Sequence, residues 1–164
     1  MNALVVYNSR TGTTRKVADK LASLLKCDIE EIHDAKNRKG LLGWLSAGKD
    51  ATSKKLTKLE TVNADPAAYD IVIIGTPMWN HTMSTPIRAY LTQYKDRFKK
   101  LAFFCTYQYT DDDPFEEMES ICGKSPVATL RLHRKREVEA DQYMKKAEEF
   151  IDKLTSEGQG TQLK

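Results

Sequence analysis

The stretch that decides the fold is residues 3–14, which read ALVVYNSRTGTT. Its first five residues are apolar without alternation, a pattern typical of a strand buried on both faces of a parallel sheet. A polar loop follows, and from Thr13 to Leu25 apolar residues recur on one face of an amphipathic helix. The stretch therefore predicts a buried strand whose carboxyl end leads directly into a helix.

The same alternation of apolar strands and amphipathic helices continues along the chain. Further strands are predicted at 28–32, which is an edge strand, and at 71–75, 101–105 and 127–132. The intervening helices are predicted from Pro86, from Pro114 to Gly123, and from Asp141 to Leu154. Strands that alternate with helices form a parallel sheet covered on both faces. We therefore predict an α/β fold with three layers, a doubly wound five-stranded parallel sheet.

Segment 36–58 lies between the second and third predicted strands and fits the pattern less well. It contains an apolar group that includes Leu41, Leu42 and Trp44, interrupted by glycines. Because parallel strands need a crossover, we predict that this segment forms the missing crossover helix. The alternative is a lid or dimer surface that uses Trp44.

The composition excludes several classes of protein. The chain has 164 residues and a net charge of +3, and no apolar run approaches the ~18 residues that span a bilayer. The amino terminus is too short and uncharged for a signal peptide, so we expect a cytoplasmic protein without stable membrane insertion. The basic run at 133–136 has no interleaved aromatic residues, so we predict no nucleic-acid partner.

No conventional catalytic or metal site is predicted. Cys27, Cys105 and Cys122 are far apart in the sequence, and the three histidines show no ligand spacing. Cys105 lies within a predicted strand and is interpreted as a small buried hydrophobe. Because no nucleophile motif is present either, we predict no catalytic residues and no bound metal.

The loop after the first strand carries the chemistry of a phosphate site. It consists of Ser9, Arg10, Thr11, Gly12, Thr13 and Thr14. Hydroxyl groups can donate to phosphate oxygens, a glycine admits close approach of the backbone, and the helix start offers free N–H groups. The spacing is neither that of a P-loop nor that of a dinucleotide-binding loop. The alternative is an ordinary hydroxyl-rich helix cap.

This loop resembles the Ser/Thr-x-Thr-Gly-x-Thr loop of the flavodoxin family, and the order of strands and helices is similar from Ala3 to Leu154. The resemblance implies the flavodoxin-like strand order 2-1-3-4-5 in one domain, residues 1–155. The polar composition of residues 156–164 predicts a disordered tail. It also implies that the cofactor is flavin mononucleotide (FMN), with its phosphate in this first loop.

The resemblance extends to two further loops, which would face the flavin ring. The second loop contains Thr76, Pro77, Met78, Trp79, Asn80 and His81, before a helix start at Pro86-Ile87-Arg88. Trp79 is the predicted ring contact, with a core anchor as the alternative. Family members commonly carry glycine near positions 80 and 81, and this chain does not. The third loop contains Thr106, Tyr107, Gln108 and Tyr109, and either tyrosine could stack on the ring.

The implied function is electron transfer between redox partners. The alternative is an FMN-dependent NAD(P)H:quinone reductase-like oxidoreductase, and a third class is a regulatory module with a degenerate site. The partners are therefore redox proteins or a small quinone. The carboxylates of Asp111–Asp113, Glu116 and Glu117 form a local acidic patch, and we expect a redox protein to dock there.

Overall fold

The computed structural model describes residues 1–35, 56–109 and 112–159. The strands are β1 (Ala3–Tyr7), β2 (Asp28–Glu31), β3 (Ile71–Trp79), β4 (Thr82–Met83), β5 (Leu101–Tyr107) and β6 (Thr129–His133). The α-helices are α1 (Thr13–Leu25), α2 (Thr85–Tyr94), α3 (Phe115–Cys122) and α4 (Met144–Gln159). Short 3₁₀ turns occur at Pro66–Ala68 and Lys95–Arg97, and a π-helical turn occurs at Arg134–Glu139.

Five parallel strands form the central sheet in the order β2-β1-β3-β5-β6. Counted along the chain without the short β4, this is the predicted order 2-1-3-4-5, which is confirmed. β4 is an addition to the prediction, and it pairs antiparallel with the end of β3. The three central strands are buried along their shared length, in agreement with their unbroken apolar sequences.

Helices cover both faces of the sheet and divide the core into two clusters. On one face, α1 and α4 pack over side chains that include Val5, Ile73 and Phe104. On the other face, α2 and α3 pack over side chains that include Val6, Ile74 and Phe103. Neighbouring strand residues thus contribute to opposite clusters, as the period of two in a strand requires. The predicted three layers are confirmed.

Several boundaries differ from the predictions. β3 continues past the predicted end at Gly75, because Thr76 and Pro77 remain paired with β5. The last helix continues past Leu154 to Gln159, where the hydroxyl of Ser156 donates to the carbonyl of Lys153 at 3.1 Å. The predicted tail is therefore helical at its beginning, and 160–164 lie outside the described residues.

Most of segment 36–58 also lies outside the described residues. The predicted crossover helix and the alternative role of Trp44 both fall in residues 36–55 and remain predictions. Beyond this segment, Leu59 forms an isolated antiparallel bridge with Asp34. In the part of the chain that the structure describes, no helix is both long enough and apolar enough to cross a bilayer.

Gly75 is required by packing at the centre of the sheet. It lies opposite Phe104 in the pairing of β3 with β5. A Cβ atom placed on Gly75 would lie 2.0 Å from Cζ of the Phe104 ring. Phe104 is itself fully buried, so the ring has no free space to move into. A side chain at position 75 therefore displaces part of the core.

We expect Gly75→Ala to destabilise the fold by about 1–3 kcal/mol, the usual range for overpacking in a core. Urea unfolding followed by circular dichroism measures the loss. In the Phe104→Leu background the ring is absent, so the same Ala substitution should cost at least about 1 kcal/mol less. Additive costs in the double variant would contradict this contact.

Candidate cofactor site

The three predicted loops begin at one edge of the sheet. Tyr7 at the end of β1 pairs with Gly75 of β3, and Pro77 of β3 pairs with Thr106 of β5. The hydroxyls of Thr14 and Thr106 lie 2.8 Å apart and are buried, so they join the first loop to the third. The carboxyl ends of parallel strands are where this class of fold binds ligands. The structure thus brings the predicted site residues together at that edge.

Helix α1 begins without a side-chain cap. Its N-cap is Gly12, whose φ of 90° lies in the left-handed region that favours glycine. A Cβ on Gly12 would meet no atom within 4 Å, so the space beside the helix start is open. The first N–H groups of a helix have no acceptors within it, and the helix dipole adds a partial positive charge. The open end of α1 is therefore suited to an anion.

Hydroxyl groups surround this helix start. Ser9 Oγ accepts from the N–H of Gly12 at 3.1 Å, and the hydroxyls of Thr11 and Thr13 lie 3.5 Å apart. Thr11 is exposed and Ser9 is half-buried, so both can meet a ligand. Thr14 differs, because its buried hydroxyl already bonds to Thr106. Donors of this kind fit a phosphate, with Ser9, Thr11 and Thr13 as side-chain ligands.

The second loop is a β-hairpin with a tight turn. β3 and β4 pair through Met78 with Met83 and through Trp79 with Thr82. The two turn residues have positive φ angles, 49° at Asn80 and 68° at His81, as in a type I′ turn. His81 Nδ1 lies 3.0 Å from the carboxylate of Asp112, across the gap between the second and third loops. The hairpin sets the half-buried Trp79 at the strand end, before the turn.

A buried ion pair fixes the hairpin to the helices. Both terminal nitrogens of Arg88 in α2 donate to the carboxylate of Glu117 in α3, at 2.9 and 3.0 Å. Arg88 also donates to the hydroxyl of Thr82 at 2.9 Å, and that hydroxyl donates to Glu117. The Arg88 side chain is 5% exposed. Beside it, Thr76 Oγ1 accepts from the N–H of Ser84 at 2.9 Å, which joins the base of the hairpin to the start of α2.

The two tyrosines of the third loop differ in their contacts and in their exposure to solvent. The guanidinium of Arg131 lies 3.9 Å from the ring centroid of Tyr107, and the His133 ring meets the same tyrosine edge-on at 5.2 Å. Tyr109 is 91% exposed. Gln108 donates to the Tyr109 hydroxyl at 2.5 Å. Of the two tyrosines that the sequence left open, Tyr109 has the more exposed ring.

The cysteines are free and poorly suited to nucleophilic chemistry. Burial raises the pKa of Cys105 and that of Cys122 to about 12, and it raises the pKa of Cys27 to about 11. Thiols with such values are protonated at neutral pH and react slowly. The interpretation of Cys105 as a buried hydrophobe is confirmed. Within the described residues, no group of three or more His, Cys, Asp or Glu is arranged to hold a metal ion.

The sequence did not reveal the partners that hold the site together. Glu117, Asp112 and Arg131 contact residues of the second and third loops, namely Thr82, His81 and Tyr107 respectively. The one available signal was Arg88 itself, because a charged residue on the apolar side of a helix is buried only with a partner. No pattern in the sequence distinguishes Glu117 from the neighbouring carboxylates as that partner.

The Arg88–Glu117 pair should contribute strongly to stability. Removing one partner of a buried pair costs about 3–5 kcal/mol, and we expect about 2–3 kcal/mol for Arg88→Met because Glu117 is 24% exposed. Arg97→Met is the matched control, since the Arg97–Asp65 pair is half-exposed and such pairs contribute about 0–1 kcal/mol. Urea unfolding compares the two variants, and equal losses would contradict the role of the buried pair.

Comparison with known proteins gives one consistent result. The family model described as Flavodoxin matches residues 2–112. A flavoprotein from Lactobacillus acidophilus NCFM, solved in complex with FMN, has a TM-score of 0.66 and 23% identity, covering 79% of this chain and 92% of its own. A flavoprotein from Bacteroides eggerthii DSM 20697 has a TM-score of 0.66 and 19% identity, covering 92% of this chain and 96% of its own.

A more distant structural likeness comes from the two-electron reduced flavodoxin of Megasphaera elsdenii. It has a TM-score of 0.55 and 14% identity, covering 80% of this chain and 86% of its own. Among curated proteins, no sequence matches this chain. These structures share the fold, and the family model spans more than half of the chain. The chain belongs to the flavodoxin family.

Proposed function

We propose that this protein binds FMN non-covalently at the carboxyl edge of the sheet and carries electrons between redox partners in the cytoplasm. The observation that carries the proposal is the open, hydroxyl-lined start of α1, which lies beside the Trp79 hairpin and the Tyr109 loop. One end of this edge suits an anionic phosphate, and the other offers aromatic side chains to a planar ring. Family membership and the FMN-bound flavoprotein of the same fold support this assignment.

One group of residues would anchor the FMN phosphate, and another would orient the flavin ring. The N–H groups at the start of α1 and the hydroxyls of Ser9, Thr11 and Thr13 would hold the phosphate. Trp79 and Tyr109 would contact the ring system. When bound, the flavin supplies the redox chemistry, and the protein supplies binding, orientation and electrostatics.

A second candidate is an FMN-dependent NAD(P)H:quinone reductase-like activity. The observation that favours it is the His81–Asp112 pair, which places an exposed histidine oriented by a carboxylate beside Trp79. Such a histidine can donate a hydrogen bond to a bound acceptor. Oxidation of NADPH by the loaded protein in the presence of a small quinone would select this function. If only a protein acceptor supports electron flow, the carrier function is favoured.

The phosphate assignment predicts a ligand-specific loss of affinity. A hydrogen bond to a charged group contributes about 1.5–3 kcal/mol, so replacing both Thr11 and Thr13 by valine should weaken FMN binding by about 100-fold or more. Riboflavin lacks the phosphate, and its affinity should change less than about threefold. Flavin fluorescence titration measures both constants.

Thr61→Val is the matched control, since Thr61 is exposed and lies outside the three loops. It should leave both affinities unchanged. Equal losses of FMN and riboflavin affinity in the double variant would show that the two threonines do not hold the phosphate.

A further inference from the structure

Three consecutive cations, Arg134, Lys135 and Arg136, open the π-helical turn that follows β6. We call these three residues the basic turn. The side chains of Lys135 and Arg136 are exposed, and within the described residues neither forms an ion pair or a side-chain hydrogen bond. Adjacent like charges repel each other, so the fold gains no stability from this arrangement. Both charges are therefore available to a binding partner.

The backbone of the basic turn is nonetheless firmly held. The ring of His133 accepts from the N–H of Arg136 at 3.2 Å. Glu137 accepts from the N–H of His133 at 2.6 Å and pairs with Lys146 at 2.5 Å. Burial alone would raise the pKa of Glu137, but the hydrogen bonds from Lys146 and His133 lower it overall. The turn thus presents its two exposed cations from a fixed position.

The basic turn lies next to the loop assigned to the flavin ring. Arg134 donates to the side-chain oxygen of Gln108 at 3.3 Å, and Gln108 in turn donates to Tyr109. Arg134 is itself paired with Glu139 at 2.6 Å, so the uncompensated charge belongs to Lys135 and Arg136. A protein that contacts these cations would border the cofactor edge.

The acidic residues on the other flank have roles within the fold. Glu117 is paired with Arg88, and Asp112 lies 3.0 Å from His81.

Asp113 accepts from the N–H of Phe115 at 3.0 Å and so caps the start of α3. Glu116 lies in the first turn of the same helix, where a negative charge stabilises the dipole. Asp111 lies outside the described residues. The predicted acidic docking patch is thus explained largely by local structure.

We propose that the basic turn is the docking surface for a redox protein with an acidic surface. This inference rests on the proposed function and names the kind of partner. The net charge of +3 attracts such a partner at long range, and the basic turn orients it beside the cofactor edge. In each productive encounter the partner's oxidised centre gains one electron, and the reduced cofactor of this chain loses one.

The test uses the FMN-loaded protein, reduced and mixed in stopped flow with two haem acceptors, the acidic cytochrome b5 and the basic cytochrome c. The rate with the acidic acceptor should fall about tenfold or more between 0.01 and 0.2 M salt. Lys135→Gln combined with Arg136→Gln should lower that rate about fivefold at low salt and flatten its salt dependence.

Lys99→Gln combined with Lys100→Gln is the matched control. These exposed lysines precede β5 at the opposite edge of the sheet, so the same change in net charge should alter the rate less than twofold. Reduction of the neutral quinone menadione should be equal in all variants, which verifies an intact cofactor site. Equal effects of the two double variants, or a rate with the basic acceptor that also falls as the salt concentration rises, would overturn the proposal.

Binding without the cofactor separates this inference from the proposed function. Cofactor-free protein should bind cytochrome b5 in calorimetry at low salt, and the Lys135/Arg136 variant should bind about fivefold more weakly. If FMN does not bind but this difference is found, the proposed function fails and the docking surface stands. If FMN binds but the difference is absent, the docking surface is wrong and the function stands.

Discussion

Parallel pairing of β1, β3 and β5 is the constraint on which the site depends. Because these strands run in the same direction and pair side by side, their following loops start within one edge of the sheet. The hydroxyl pair between Thr14 and Thr106 then ties the first loop to the third. The loops proposed to hold the phosphate and to contact the ring thus come together although they are far apart in the sequence.

The second constraint is electrostatic, and it governs the hairpin that carries Trp79. Arg88 can be buried only because Glu117 and Thr82 satisfy its terminal nitrogens. The same contacts join the hairpin to α2 and α3. The His81–Asp112 pair adds an exposed contact at the tip, where two non-glycine residues adopt positive φ. The hairpin is therefore held at its base and its tip.

The sequence predicted the local elements more successfully than their long-range contacts. The limits of β1 and α1 agree with the prediction, since an unbroken apolar run and the glycine at position 12 mark them locally. The extension of β3 was missed because a Thr-Pro dipeptide is typical of a loop. Only pairing with β5 and β4 makes that segment a strand. The sequence does not predict the π-helical turn at Arg134–Glu139, because the contacts that order it involve His133 and the distant Lys146.

For the site, the sequence identified the three loops but not the residues that each side chain contacts within the fold. The predicted cofactor-binding residues lie at one edge, and their contact with FMN stays a prediction. Thr14 and Tyr107 show the limit most clearly. Both belong to the predicted set, yet Thr14 bonds to Thr106, and Tyr107 packs against Arg131 and His133. Those partners follow from strand register, which a single sequence does not reveal.

The most direct test of the central claim is a titration of the ¹⁵N-labelled protein with FMN, followed by backbone amide chemical shifts. We expect the largest changes at Gly12, Thr13 and Thr14 and at the indole N–H of Trp79. This expectation follows from the proposal that the helix start receives the phosphate and that the hairpin contacts the ring. If the changes instead cluster in the open groove beside β2, lined by Cys27, Asp28 and Tyr69 among others, the assignment of the cofactor site is wrong.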